Sequence, residues 1–216
     1  MDKRKKQFLI LTGVFSLYLI IFIIYIVDAK TNVLEEFIRI LALFGLLSLF
    51  ISSIMAAFTR EIYKLFGKPF KKVHHYIALS ALILITTHPI LIAINYTDAS
   101  VFVPDFSSSY AFWALAGRPA LYLIFIAVIA GFLQTKIKRY WRYIHGLNYV
   151  ALVFGVVHGM LIGSNLSRLV ALKVIYVLML VLVTFSFVLK RYQTYKRKKR
   201  IKTKKQEKNT ESIQNQ

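Results

Sequence analysis

Five histidines lie in two apolar stretches of this 216-residue chain and nowhere else. His74, His75 and His88 fall in VHHYIALSALILITTHPILIAIN, residues 73–95. His145 and His158 fall in RYIHGLNYVALVFGVVHGMLIG, residues 142–163. Each stretch carries one imidazole near its start and one deep inside. Neutral imidazole binds metals and carries protons, and an ionisable group inside a membrane points to function by default. No span holds paired carboxylates, and no nucleophile lies beside a base, so the pattern does not support hydrolysis. Cysteine is absent, which excludes disulfides, thiolate-held metals, iron–sulfur clusters and c-type haem attachment.

The elements that must position these imidazoles are membrane helices. Hydrophobic residues make up 57% of the chain and are blocked into runs of about 20, the length that spans a hydrocarbon core. The runs predict six spans, at roughly 8–27, 37–58, 73–95, 118–133, 143–163 and 169–189. The first follows Lys3-Arg4-Lys5-Lys6. It exceeds the apolar core of a signal peptide and lacks a clean A-x-A site, so a retained helix is expected. Asp28, Lys30 and Asn32 mark a polar connection, and Gly67 and Pro69 mark a turn in the basic loop TREIYKLFGKPFKK. The long connection 96–117 is rich in Phe, Tyr and Trp, as suits a membrane–water interface.

The net charge of +20 is distributed by side. Lys3 to Lys6, then Arg60, Lys64, Lys68, Lys71 and Lys72, then Lys136, Lys138, Arg139 and Arg142, and finally the tail, occupy alternate connections. The opposite connections hold only Lys30, Arg39, Arg118, Arg168 and Lys173. This asymmetry predicts both termini in the cytoplasm and membrane lipid, not nucleic acid, as the partner of the basic segments. The expected organisation is an all-α, integral membrane six-helix bundle in the cell membrane. A basic cytoplasmic N-terminus (1–7) precedes the six helices (8–189), and a basic, disordered cytoplasmic tail (190–216) follows.

In that topology the third and fifth spans are parallel. His74 and His88 are 14 residues apart, about 21 Å along a helix and within roughly 40° of one face. His145 and His158 are 13 apart, about 19.5 Å, but roughly 140° out of phase in an ideal helix. A bend or a one-residue π-bulge is needed to turn both toward the third span. Two pairs then form: His74 with His145 near the cytoplasm, and His88 with His158 toward the outside. An iron porphyrin takes axial ligands from opposite sides, so the spacing suits two stacked haems. Histidines about 20 Å apart cannot share one zinc or copper ion. The competing reading is a non-redox transporter or structural subunit whose histidines bond neighbouring helices.

HHYIALSALILITTH resembles the third helix of the ferric reductase-like transmembrane domain, the family of ferric reductases, NADPH oxidases and the haem-binding subunit of the bacterial methionine sulfoxide reductase system. His74 takes the first histidine place, His75 the basic place, Ala78 a small position and His88 the last place. WRYIHGLNYVALVFGVVH is similar to the fifth helix. The resemblance covers roughly 41–189 and implies haem b, two per chain, with His74, His88, His145 and His158 as axial ligands. His75 remains the alternative to His74; helical phase and the family pattern favour His74. No Gly-rich fingerprint of a flavin and nicotinamide domain is present, so electrons are expected from a separate flavoprotein reductase or from quinol. The acceptor lies outside the cytoplasm and is unidentified. The chain is thus expected to be an oxidoreductase component. Arg118 is the outer candidate for a haem propionate, and Lys72 and Arg142 are inner candidates. Gly155, Gly159 and Gly163 form a small-residue stripe that admits a helix or a porphyrin, and Pro89 is placed to bend its helix beside His88.

Overall fold

The computed structural model describes residues 2–27, 32–67 and 70–214, with the side chains of Phe70, Lys71, Lys198, Lys202 and 204–214 outside the description. It is 87% helix, with no strand among the described residues. Six helices are long and apolar enough to cross a membrane, as a multi-pass membrane protein requires. Asp28, Lys30, Lys68 and Pro69, expected in connections, lie outside the described residues.

The first two spans are α1 (Lys3–Val27) and α2 (Val33–Met55). Asn32 caps α2, its side chain accepting the Glu35 backbone N–H at 2.8 Å. The basic stretch that follows is not simply a loop. Residues Thr59–Phe66 form the short helix α3, which closes at Gly67 with φ of 63°. A left-handed residue there is what a glycine C-cap supplies. The third span is α4 (Phe70–Tyr96), which continues through Pro89.

The aromatic connection contains a 3-10 turn, Ala99–Phe102, and the short helix α5 (Ser109–Ala114). Asp98 is exposed there and Asp105 partly exposed. Hydrogen bonds from the Ser100 hydroxyl and backbone hold the Asp98 carboxyl below its ordinary range, and the Ser107 backbone N–H does the same for Asp105. The fourth span is α6 (Gly117–Phe132).

The fifth span is divided. Helix α7 (Trp141–His145) ends at the histidine, and α8 (Leu147–Leu161) resumes after Gly146. The Gly146 N–H is shared between the Tyr143 carbonyl at 3.1 Å and the Arg142 carbonyl at 3.2 Å, and the Tyr149 N–H donates to the Gly146 carbonyl at 3.0 Å. Each residue of such a three-residue turn advances about 20° more than in an α-helix, which narrows the phase mismatch between His145 and His158. The short helix α9 (Ser164–Arg168) leads into α10 (Val170–Gln214). Helix α10 passes the expected end of the sixth span at Leu189 because residues 170–214 contain no Gly or Pro to stop it.

The apolar core lies between α1, α2, α8 and α10, with Ile21, Leu47, Phe50, Leu152, Leu172 and Tyr176 almost fully buried. Tyr176 donates its hydroxyl proton to the Leu43 carbonyl at 2.7 Å, joining α10 to α2. Tyr176→Phe should cost about 0.6 kcal/mol, a typical interhelical membrane hydrogen bond. Equilibrium unfolding of the purified variant in mixed detergent micelles checks this value.

Candidate functional site

Helix α2 lies antiparallel to α4 and packs along it, and α6 does the same with α8. Gly45 permits the first approach: a Cβ there would stand 2.6 Å from Ile85 Cγ1 and 3.1 Å from the Ile85 backbone N. Ala81 on α4 is wholly buried, as are Ala120 on α6 and Ala151 on α8 to within a few per cent. Small residues therefore lie between the two histidine levels in both helix pairs, so the backbones come close enough for an imidazole on one to reach a carbonyl on the other.

Four imidazoles use this approach, three for carbonyls and one for a hydroxyl, with Ala114 on α5 and His145 on α7 extending the second pair. His88 Nδ1 bonds the Ile38 carbonyl at 2.8 Å, and His74 Nδ1 bonds Ser52 Oγ at 3.0 Å. His145 Nδ1 bonds the Ala127 carbonyl at 2.9 Å, and His158 Nδ1 bonds the Ala114 carbonyl at 2.7 Å. The partners keep register. Ile38 and Ser52 are 14 residues apart (52 − 38), like His74 and His88; Ala114 and Ala127 are 13 apart (127 − 114), like His145 and His158.

A carbonyl only accepts, so His88, His145 and His158 must carry their proton on Nδ1. The Ser52 hydroxyl can accept from His74 in the same way. The Nε2 of His88, His145 and His158 then keeps its lone pair, as does that of His74 when Ser52 accepts, the arrangement in which an oxygen behind the ring fixes the tautomer and orients a metal-binding imidazole.

The two helix pairs bring the rings together across a gap. The backbones of α4 and α8 scarcely approach one another, yet the His74 and His145 ring centres are 6.2 Å apart, with the ring planes 68° to each other. His88 and His158 are within electrostatic reach. Helices α4 and α8 therefore run in the same direction. His75 is exposed, with its ring centre 6.0 Å from that of His74 and 6.4 Å from that of Phe132.

His158 lies over Gly117, where a Cβ would come within 2.8 Å of Cδ2 and 2.9 Å of Nε2. His145 is next to Gly131, but a Cβ there would come no closer than 3.4 Å. Arg118 follows Gly117 at the start of α6, donates to the Val103 carbonyl at 2.7 Å, and is within electrostatic reach of His158. Arg142 stacks over Trp141 at 5.5 Å, and Lys72 is exposed. The glycine stripe of α8 faces protein: Cβ atoms at Gly155 and Gly159 would meet Leu46 and Leu166.

Sequence reasoning missed Ser52, Gly117 and Lys190 as neighbours of the histidines. It also missed the carbonyls of Ile38, Ala114 and Ala127. Among the described residues no group of three or more His, Asp or Glu is arranged to hold a bare metal ion.

The residues can be tested against a bis-imidazole iron site. Two metal–nitrogen bonds of about 2 Å, with about 1.1 Å from each nitrogen to its ring centre, place collinear ring centres about 6.2 Å apart. The His74–His145 separation is 6.2 Å. Two oriented imidazoles with no third protein ligand suit a metal whose other four donors come from its own macrocycle. Comparison with protein-family models, curated proteins and solved structures finds no match to this chain.

Proposed function

We propose that the chain is a haem-b electron-transfer protein of the ferric reductase-like type, carrying electrons across the cell membrane through two bis-histidine sites. The observation that carries this reading is the set of four imidazoles, each tied by Nδ1 to an oxygen on a neighbouring helix and grouped at two levels. Resemblance of the two histidine-bearing segments to that family supports it. His74 and His145 would hold the inner haem, and His88 and His158 the outer one, with Arg118 beside the outer propionates. Both termini lie in the cytoplasm in this reading, by the distribution of Lys and Arg among the loops.

Bound haem would supply a one-electron iron couple at each level. The chain's own residues do the remainder. The oxygens of Ser52, Ile38, Ala127 and Ala114 fix each ring before a ligand arrives, which limits reorganisation between oxidation states. The small-residue seams of α2 with α4 and of α6 with α8 exclude water from behind the rings. Electrons come from a separate flavoprotein reductase or from quinol and leave to an acceptor outside.

The test is a reduced-minus-oxidised spectrum of the purified full chain with a haem assay. A bis-histidine b-type signal at about two haems per chain is expected. Protein that stays colourless when expressed with ample haem would return the histidines to a purely structural role.

A further inference from the structure

Lys190 is on α10, remote in sequence from every histidine, yet its ammonium donates to the Ala56 carbonyl. Ala56 is one helical turn beyond Ser52, which holds His74. Lys190 is consequently within electrostatic reach of His74. Arg142 comes from the other helix pair, one turn before His145 on α7, and is close enough to Lys190 for their charges to repel. Two cations from separate elements thus converge at the cytoplasmic end of the His74–His145 pair.

Like charges brought together favour an anion between them, and among the described residues no ion pair to Lys190 or Arg142 is found. The ion pairs found among the described residues are both made by Arg39, with Glu35 and Glu36, at the opposite end of α2. An ammonium has three N–H donors, and the Ala56 carbonyl occupies one. The Arg142 guanidinium lies over Trp141, which leaves its in-plane donors available.

We infer that Lys190 and Arg142 form a clamp for the carboxylates of the tetrapyrrole held by His74 and His145. This rests on the haem reading above and adds to it a residue on the last helix. The bland alternative is that Lys190 merely caps the C-terminal end of α2, where a cation is favourable. The two differ in what the bound iron feels. A cation paired with a propionate offsets negative charge close to the metal, so its removal favours the ferric state. A cap this close also shifts the iron through space, but only a contact to the carboxylates makes the Lys190→Gln shift shrink when haem is replaced by its dimethyl ester.

The experiment is a redox titration of the full chain in nanodiscs, comparing wild type, Lys190→Gln and Lys190→Arg. The inner component is identified as the one missing from His74→Ala. Lys190→Gln should lower the reduced-to-oxidised ratio of the inner haem about tenfold at fixed potential, equivalent to about 59 mV for one electron. The outer component should not move, Lys190→Arg should restore most of the shift, and reconstitution with haem dimethyl ester should remove most of the difference between wild type and Lys190→Gln; an undiminished difference with the ester would overturn the clamp. An inner haem that titrates as wild type in Lys190→Gln while the protein melts earlier would identify a cap and overturn the clamp. Nanodiscs with and without anionic lipid separate the two sources of an anionic oxygen. If the Lys190→Gln effect disappears without anionic lipid, the anion is a lipid phosphate and the clamp is again overturned. Colourless wild-type protein would remove the haem reading itself; a coloured wild type with an unresponsive Lys190→Gln would remove only this inference.

Discussion

Replacing His88 by alanine should remove the outer haem and leave the inner one, lowering haem content from about two to about one per chain. The effect is expected to be large because a bis-imidazole site has no third protein ligand to fall back on, and no His, Asp or Glu cluster stands nearby among the described residues. It should also be local. The Ile38 carbonyl that accepts from His88 belongs to a helical residue, so losing the imidazole returns it to its ordinary helix bond and leaves no unsatisfied donor. His158→Ala should give the same remaining spectrum. His74→Ala and His145→Ala should both give the complementary one, and His75→Ala should retain both components. Visible spectra of the five purified variants check the whole assignment. Retention of two haems in His88→Ala, or loss of one in His75→Ala, would mean the ligands are paired wrongly.

The second large effect is expected at a residue with no side chain. Gly117→Ala should expel the outer haem almost as well as removing a histidine does. Its Cβ would be built 2.8 Å from Cδ2 and 2.9 Å from Nε2 of His158. The imidazole is tied to the Ala114 carbonyl at 2.7 Å, so it cannot yield without breaking the bond that orients it. Overpacking of this kind costs about 1–3 kcal/mol, or about 5- to 150-fold in affinity at the site. The natural control is Gly131→Ala. Its Cβ would come no nearer than 3.4 Å to His145, so the inner haem should be retained. Haem titration into the two apo-variants provides the measurement. Equal losses at both positions would indicate that glycine is needed for helix packing in general and not for the seat of His158.

The chain made some of this legible and concealed the rest for physical reasons. Six apolar runs announce six spans because bilayer thickness fixes the length of a helix that crosses it. The histidines stand out because they are few and all lie in apolar surroundings. The acceptors could not be read. Ile38, Ala114 and Ala127 contribute a backbone carbonyl, which every residue possesses, so residue type carried no signal. Ser52 does carry one, a hydroxyl on the face that also holds Gly45, but only antiparallel pairing of α2 with α4 gives it meaning. The interruption at Gly146 was equally hidden, since a glycine in a membrane helix is common. The roughly 140° phase mismatch still required a departure from ideal winding somewhere between His145 and His158, and the tight turn at Gly146 lies in that interval. Lys190 escaped notice because a lysine at the cytoplasmic end of a span reads as a topology anchor.

The matched intervals along α2 and α4 make that helix pair behave like a key with two teeth cut on one blade, whereas the second set is spread over α5 and α6 on one side and α7 and α8 on the other. A slip of α4 past α2 by a single residue would swing the His74 and His88 rings through about 100° and deprive both of their acceptors at once. Misassembly of α4 against α2 would therefore set both of its imidazoles adrift and seldom leave one level competent and the other ruined. Pigmentation of the protein, where it develops, would double as a report that the helices were threaded correctly.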